Sequence, residues 1–398
     1  MSRVIYMDNN ATTSVAPEVL DAMLPFLKEQ YGNPSSMHTF GGVVGKAVDR
    51  ARQQVADLLG ARVPEEIIFT SCGTESDSTA ILAALEAQPE KRHFVTTRVE
   101  HPAVLALGQH LEKKGYRVTF LGVDAKGNLN MDELKAALTR DTALVSVMYA
   151  NNETGVIYPI KEIGNMCRER GILFHTDAVQ AVGKIPLDLK NMPIDYLSLS
   201  GHKLHAPKGI GALYVRRGAP FRTFLRGGHQ ERGRRAGTEA VPNIVALGAA
   251  CALAAKHIDQ ENTVVKGLRD KLENALLAAV PESIINGDRT HRLPNTTNIS
   301  FKYVEGEAIL LLLDQFGVCA SSGSACTSGS LEPSHVLRAM GVPFTFAHGS
   351  LRLSLSRYNT EAEVDGVIKT LPGIIERLRE ISPYRNLADN VAEGEAHH

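Results

Sequence analysis

Apolar positions along the chain alternate between two spacings, and this alternation predicts a layered α/β fold. Segments such as GGVVGKAVDRARQQVADLLG carry apolar residues every three or four positions, as one buried face of a helix requires. Short apolar runs such as EIIFTS, HFVTT and ILFHTDA lie between these segments and predict buried strands. Because strands and helices alternate up to about residue 190, we expect a mostly parallel sheet covered by helices on both faces.

The pattern changes beyond that point. DYLSLSG and GIGALYV predict two strands joined by a short loop, and hence an antiparallel edge. Two helical segments, VPNIVALGAACALAAKHIDQ and NTVVKGLRDKLENALLAAV, precede a part with mixed α+β character. We therefore expect a large domain over residues 17–260 and a small C-terminal domain over residues 261–398, with the N-terminal segment 1–16 packing on the small one.

Composition and charge narrow the classes of function. The 398 residues are 43% hydrophobic, and their formal net charge is −1. A chain so close to neutral gives no electrostatic reason to bind nucleic acid or a membrane surface. The start, MSRVIYMDNNATTS, lacks the apolar stretch of a signal peptide, so we expect a cytoplasmic protein without membrane partners.

The cysteines are few and scattered. Cys72, Cys167, Cys251, Cys319 and Cys326 form an odd set that does not suggest a disulfide framework. Four of them lie in or beside predicted helices and strands. Cys326 instead lies in ASSGSACTSGS, where no large apolar residue would bury it. We expect this loop to be mobile and the thiol accessible, although the local sequence alone favours an incidental surface cysteine.

A lysine and an aspartate follow two predicted strands. Ligands of open α/β sheets bind outside the carboxyl ends of the strands. Asp177 ends ILFHTD, and Lys203 follows LSLS in GHKLHAPKG. Alone, Lys203 could be an ordinary solvated loop lysine. Together the two residues suit pyridoxal phosphate, whose aldehyde a lysine can bind and whose pyridine nitrogen a carboxylate can keep protonated.

Other strand ends add groups to this expected site. Gly73 and Thr74 of SCGTES open a predicted helix, whose backbone N–H groups and hydroxyl can hold a phosphate. His101 precedes Pro102 at the start of another helix and could lie flat against a ring. A polar helix-start residue is the alternative for His101.

The motifs in their order resemble a known family. DNNATT, CGTES, EHPAV, NNETG, HTDAVQ, SGHKLHAPKG, RAGTEAVPN and SGSACTSGSLEPSHVL resemble the cysteine desulfurases of the NifS/IscS type, from about residue 3 to residue 380. DNNATT is more similar to the nitrogen-fixation (NifS) branch than to the housekeeping branch. The resemblance implies a fold-type I pyridoxal phosphate-dependent transferase that works as a homodimer and converts L-cysteine to L-alanine.

The resemblance also assigns roles to residues. Lys203 matches the Schiff-base lysine, Asp177 the partner of the pyridine nitrogen, Gln180 the residue facing the ring hydroxyl, and His101 the histidine stacked on the cofactor. The matched phosphate ligands are Gly73, Thr74, Ser200, His202 and, from the other subunit, Thr238. On this basis we place the arginine-rich segment RGGHQERGRRAGTEA at the dimer interface.

Substrate and sulfur positions follow in the same way. Asn152 and Arg352 match the groups that hold the substrate carboxylate, and Cys326 matches the sulfur acceptor. Lys203, His101 and Cys326 are thus the expected catalytic residues. The persulfide would pass to a protein such as an iron–sulfur cluster scaffold, with nitrogenase as a candidate beneficiary. No intrinsic metal site is expected, beyond a transient contact of Cys326 with an iron–sulfur cluster.

Alternatives remain open from the sequence. Another fold-type I pyridoxal phosphate enzyme, such as a selenocysteine lyase or an aminotransferase, would share most of these residues, but an aminotransferase has no use for Cys326. A non-catalytic scaffold for cluster proteins could keep the fold but would not need Lys203 and Asp177. The leading interpretation is a cysteine desulfurase.

Overall fold

The computed structural model describes residues 4–322 and 333–382. Its strands are β1 (Ile5–Tyr6), β2 (Ile67–Thr70), β3 (His93–Thr97), β4 (Arg117–Leu121), β5 (Thr142–Ser146), β6 (Leu173–Asp177), β7 (Tyr196–Ser200), β8 (Gly211–Val215), β9 (Ser283–Ile285), β10 (Thr296–Phe301), β11 (Val318–Cys319) and β12 (Ser350–Ser354). Its α-helices are α1 (Pro17–Lys28), α2 (Thr39–Leu59), α3 (Gly73–Glu86), α4 (Pro102–Lys113), α5 (Met131–Ala137), α6 (Ile160–Glu169), α7 (Val241–Gln260), α8 (Lys266–Ala279), α9 (Gly306–Gln315), α10 (His335–Ala339), α11 (Phe344–Ala347) and α12 (Glu361–Glu380).

Local sequence explains several helix ends. Pro17 occupies the first position of α1, where its missing N–H and fixed φ are favourable. Gly60 ends α2 in the left-handed region, with φ of 61°. Thr360 and Glu363 form a capping box at the start of α12. These helices therefore begin or end at the residues whose backbone or side chain favours it.

The central sheet has seven strands in the order β2-β8-β7-β6-β5-β3-β4. All pairings are parallel except those of β8, which runs antiparallel to both β2 and β7. The mostly parallel sheet is confirmed. The predicted antiparallel pair of β7 and β8 is present too, but β8 is not an edge strand, because the earlier strand β2 pairs with its outer side.

Both faces of this sheet are covered by apolar side chains. On β2, Ile67 and Phe69 belong to the hydrophobic cluster that includes α1, α2 and α7, whereas Ile68 belongs to the cluster beneath α3 and α4. Leu197 and Tyr196 of β7 divide between the two clusters in the same way. Because β2, β3, β5, β6 and β7 run in the same direction, their carboxyl ends lie along one edge of the sheet, where the candidate site lies.

A third hydrophobic cluster joins the C-terminal elements to the start of the chain. The antiparallel sheet β9-β10-β12 and helices α8, α9 and α12 pack together here, and Met7 is buried among them. β1 pairs with β11 in parallel, next to this sheet. The domain boundary near residue 260 stays a prediction.

Helices α7 and α8 form one continuous helical run, joined by a π-helical turn (Glu261–Val265), rather than the two separate helices that the sequence predicts. The run Val241–Ala279 is long and apolar enough to cross a membrane by length and composition alone, a property that a buried core helix shares. In this fold the apolar face of α7 packs against α1 and α2 in the core.

Gly164 allows α6 to approach Pro193 closely, so a substitution at Gly164 tests the packing of this helix. A Cβ atom there would lie 2.3 Å from the carbonyl oxygen of Pro193, closer than any real contact. We expect Gly164→Ala to lower the free energy of unfolding by about 1–3 kcal/mol, because the backbone must shift. Urea unfolding measures this change.

Gly267 provides the control, since it is exposed on α8 and a Cβ there meets nothing within 4 Å. Gly267→Ala should stabilise the protein by about 0.5–1 kcal/mol through helix propensity. Equal effects of the two substitutions would contradict the close packing of α6 against Pro193.

Candidate active site

A cavity of about 300 Å³ opens at the carboxyl ends of the central strands. It gathers ten of the residues that the sequence singles out, which come from positions up to 279 residues apart. These are Gly73, Thr74, His101, Asn152, Asp177, Gln180, Ser200, His202, Lys203 and Arg352. Thr238 is exposed and is not among the lining residues, and Cys326 lies outside the described residues.

Lys203 lies in a 3₁₀ turn (Gly201–Lys203) directly after β7. Its Nζ donates to the backbone carbonyls of Asn10 at 2.5 Å and Ala11 at 2.6 Å. Thr13 holds the same turn, because its Oγ1 donates to the carbonyl of His202 at 3.0 Å. The N-terminal segment therefore orients the amine within the cavity.

Asp177 ends β6 with only 6% of its surface exposed. Its Oδ1 accepts from the N–H of Val179 at 2.9 Å. Burial raises the pKa of this carboxyl, and the nearby His101, the Val179 N–H and Lys203 oppose the rise. A cationic ring nitrogen in the cavity would pair with the carboxylate and oppose this rise in its pKa.

His101 caps the N-terminus of α4. Its Nδ1 accepts from the N–H of Ala103 at 3.2 Å, so the neutral ring carries its proton on Nε2. Burial lowers the pKa of His101, Asp177 opposes this, and Lys203 and His335 add to it. The ring is therefore neutral near pH 7, which suits stacking on an aromatic group.

The start of α3 forms the narrow end of the cavity. A Cβ atom on Gly73 would lie 2.9 Å from Cγ2 of Val179, so a larger residue there would push the helix start away from the segment after β6. Cys72 at the N-cap makes no side-chain capping bond. The first-turn N–H groups of a 14-residue helix thus point to a position suited to an anion. Arg235 holds this turn from behind, since its Nε donates to Glu75 Oε1 at 2.8 Å.

Arg352 enters from β12 on the opposite side. Its side chain is buried and donates from Nη1 to the carbonyl of Asn152 at 3.1 Å and from Nη2 to Asp8 Oδ1 at 2.8 Å. Its Nε is buried without a hydrogen-bond partner among the described residues. A bound carboxylate would supply the missing acceptor.

The donor set fits a phosphorylated aldehyde with a ring nitrogen. It offers an amine (Lys203), a buried carboxylate (Asp177), a neutral imidazole (His101) and a helix N-terminus at Gly73. The cavity residues therefore match the chemistry of pyridoxal phosphate.

Comparison with known proteins tests this interpretation. The model of the family "Aminotransferase class-V" matches residues 5–367. A cysteine desulfurase of Trichormus azollae is 65% identical over 383 residues, which are 96% of each chain. The chain belongs to the cysteine desulfurase family. The cysteine desulfurase NifS of Azotobacter vinelandii is 61% identical over 380 residues, covering 96% of this chain and 94% of that one.

A solved NifS-like protein confirms the fold. It is 39% identical, covers 94% of this chain and 100% of its own, and superimposes with a TM-score of 0.89. The predicted fold class and enzyme class of this cysteine desulfurase are therefore confirmed. The main interpretation is supported over the alternatives of an aminotransferase, a selenocysteine lyase and a non-catalytic scaffold.

The sequence missed several buried polar residues of this cysteine desulfurase. Asn10, only 1% exposed, lines the cavity, and its motif DNNATT served only for the family resemblance. Lys184 is buried behind it at 7% exposure. The local sequence AVGKIP does not indicate that this lysine is buried, because the pattern of apolar residues does not show which polar groups it contacts.

Glu153 was also missed, although it belongs to NNETG. It lines the cavity, is 4% exposed, and accepts a short hydrogen bond from Ser334 Oγ. Burial raises its pKa to about 7, and Ser334 and Arg352 oppose the rise. On the other side of the cavity, Ser321 pairs with the backbone of Arg352, as the Ser321 N–H donates to the Arg352 carbonyl at 3.2 Å.

The hydrogen bonds of Arg352 predict the effect of replacing its guanidinium group with a single ammonium group. Arg352→Lys keeps the charge, but one ammonium cannot reach Asn152 and Asp8 while also holding a carboxylate in two places. We expect the apparent affinity for L-cysteine to fall roughly 10-fold to 100-fold, with the cofactor content unchanged. Steady-state kinetics and absorbance of the bound cofactor measure the two quantities.

Arg117→Lys is the control, because Arg117 is exposed at the start of the edge strand β4 and forms an ion pair with Asp141 at 4.0 Å. It should behave like the wild type. An Arg352→Lys variant with unchanged affinity for cysteine would assign Arg352 another role.

Proposed function

We propose that this cysteine desulfurase uses pyridoxal 5'-phosphate to convert L-cysteine to L-alanine and places the released sulfur on Cys326 as a persulfide. The observation that carries the proposal is the joint placement of Lys203, Asp177 and Arg352 around one buried cavity. An amine, a carboxylate and a guanidinium in this arrangement serve a cofactor-bound amino acid.

The residues that would hold the cofactor lie on four strand ends. Lys203 would bind its aldehyde, Asp177 its ring nitrogen, Gln180 its ring hydroxyl and His101 its ring face. Gly73, Thr74, Ser200 and His202 would hold its phosphate. When bound, the cofactor supplies an electron-withdrawing ring that makes the bond from Cα to hydrogen easier to break.

The protein's own groups perform the remaining work. Arg352 and Asn152 orient the substrate carboxylate and so fix the Cα–H bond toward Lys203. The Lys203 amine, once free, takes the Cα proton and returns it, as a general base and acid. The neutral His101 ring keeps water away from one face of the site. Because Asp177 is buried, its carboxylate would pair with a ring nitrogen and not with water.

Cys326 would act as the nucleophile. Its thiolate sulfur forms a bond to the substrate sulfur, and the bond from that sulfur to Cβ breaks with its electron pair left on carbon. The carbon takes up a proton and becomes the methyl group of alanine. Sulfur has then moved to Cys326 without any external oxidant or reductant.

We further propose a cytoplasmic homodimer. Thr238 is exposed in its own chain and would reach the phosphate site of the partner subunit. The arginine-rich segment around it is held at the phosphate end by Arg235 and Glu75. The persulfide would be consumed by a sulfur-acceptor protein such as an iron–sulfur cluster scaffold, and the similarity to NifS favours a role in supplying nitrogenase.

Incubation with L-cysteine and a reductant tests the proposed function. We expect alanine and sulfide in equal amounts from the wild type. Lys203→Ala should produce neither, because it removes the amine that holds the cofactor and carries the proton. Chromatographic assay of alanine and colorimetric assay of sulfide measure both products. Formation of pyruvate in place of alanine would refute the proposal.

Substitution of single cysteines tests the sulfur carrier. Cys326→Ala should keep the cofactor and bind cysteine but form no alanine, because the nucleophile is absent. Wild type treated with cysteine without reductant should gain one sulfur atom on the peptide that contains Cys326. Peptide mass mapping detects it.

Cys319→Ala is the matched control. Cys319 ends β11, partly exposed, and burial together with Asp314 and Asp8 raises the pKa of its thiol, so it is a poor nucleophile. Loss of turnover in Cys319→Ala but not in Cys326→Ala would move the thiol chemistry to β11.

A further inference from the structure

A second lysine lies behind the candidate active site. Lys184 follows β6 and is 7% exposed. Its Nζ donates to Gln180 Oε1 at 2.8 Å and to Asn10 Oδ1 at 3.2 Å. Neither the family resemblance nor the proposed mechanism gives this residue a role. A buried ammonium is costly to desolvate, so its position next to two site residues calls for an explanation.

The donor character of Lys184 fixes how two amides are turned. A protonated lysine amine can only donate hydrogen bonds, so its partner on a side-chain amide must be the oxygen and not the nitrogen. The Gln180 nitrogen is therefore directed to the Asn10 carbonyl, at 3.0 Å. That carbonyl also accepts from Lys203 Nζ at 2.5 Å. One buried amine thus fixes the side-chain amides of Gln180 and Asn10, next to the backbone carbonyl that Lys203 contacts.

The surroundings of Lys184 also make it responsive to charge. Burial lowers its pKa to about 7, Lys203 and Arg352 add to this, and Glu261 opposes it. Glu261 lies in the π-helical turn and shares with Lys184 a small cavity of about 20 Å³, large enough for one water molecule. His205 and Arg357 line the same cavity. Burial raises the pKa of Glu261, and Lys184 and Arg357 oppose the rise.

We propose that Lys184 is a positioning residue of the reaction, which fixes the Gln180 amide with one N–H on the Asn10 carbonyl and the second directed to the cofactor ring oxygen, and which places its own positive charge, when protonated, behind that oxygen. This inference rests on the proposed function, since it assigns Gln180 to the ring hydroxyl. A donor and a cation on one side of an ionisable oxygen both favour its deprotonated form. Lys184 therefore tunes the ring without touching it.

The test uses the cofactor-loaded enzyme and two variants. Lys184→Met keeps the volume but removes donor and charge, whereas Lys184→Gln keeps a donor without the charge. We expect Lys184→Met to retain its cofactor, to raise the pH midpoint of the cofactor absorbance change by about one unit, and to lower kcat roughly 10-fold. Lys184→Gln should lie between it and the wild type in both quantities.

A double-mutant cycle with Gln180→Leu separates positioning from general damage. If Lys184 acts through Gln180, the losses in kcat do not add in the double variant. Lys126→Met is the control, because Lys126 is an exposed lysine whose side chain contributes nothing to the cavity. It should keep the wild-type midpoint and kcat. If Lys184→Met does not fold, Lys184→Gln carries the same comparison.

The outcomes are distinct. A wild-type midpoint and kcat in Lys184→Met, or fully additive losses with Gln180→Leu, would overturn the positioning role. These results would leave the proposed function intact as long as the wild type forms alanine from cysteine. A wild type that forms no alanine would instead remove the proposed function itself.

Discussion

The hydrogen bonds of Asn10 tie together the parts of the chain on which the active site depends. Its carbonyl accepts from Lys203 and Gln180, which follow the central strands. Its side-chain nitrogen donates to Thr296 Oγ1 at 2.8 Å, at the start of β10, and its backbone N–H donates to Ser354 Oγ at 2.9 Å, at the end of β12. An N-terminal residue thus connects Lys203 with the sheet that supplies Arg352.

Such a network is needed because the cavity removes charged groups from water. Burial raises the pKa of Asp177 and lowers that of Lys184, so it disfavours the charged form of each group. Partly satisfied networks are unfavourable in a low-dielectric interior, whereas complete ones hold a single arrangement. Arg352 Nε, a buried atom of the cavity without a partner among the described residues, is therefore informative, since it marks where a ligand completes the network.

The layers of the fold and most cavity residues could be predicted from the sequence for one reason. Strands and helices alternate with clear periods, and the carboxyl ends of parallel strands lie along one edge, so the amino-acid pattern alone brings Asp177 and Lys203 together. The inner position of β8 could not be predicted, because β2 and β8 are about 140 residues apart and pairing at that distance leaves no local pattern. Asn10 and Lys184 could not be predicted as site residues for a similar reason. Their significance comes from partners distant in the chain, such as Thr296 and Ser354 for Asn10.

The pairing of Ser321 with Arg352 sets a limit on sulfur delivery. Ser321 is held by its backbone pairing with Arg352, which lines the cavity, and both Ser321 and the next residue, Ser322, are buried. Cys326 is four residues beyond Ser322, and a fully extended chain spans at most about 3.6 Å per residue, or about 14 Å in all. If Cys326 carries the sulfur, its Cα atom cannot lie more than about 14 Å from the Cα atom of Ser322. An acceptor protein must therefore bring its own thiol or cluster ligand to the mouth of the site. Docking of the acceptor, and not movement of Cys326, covers the remaining distance between the two sulfur sites.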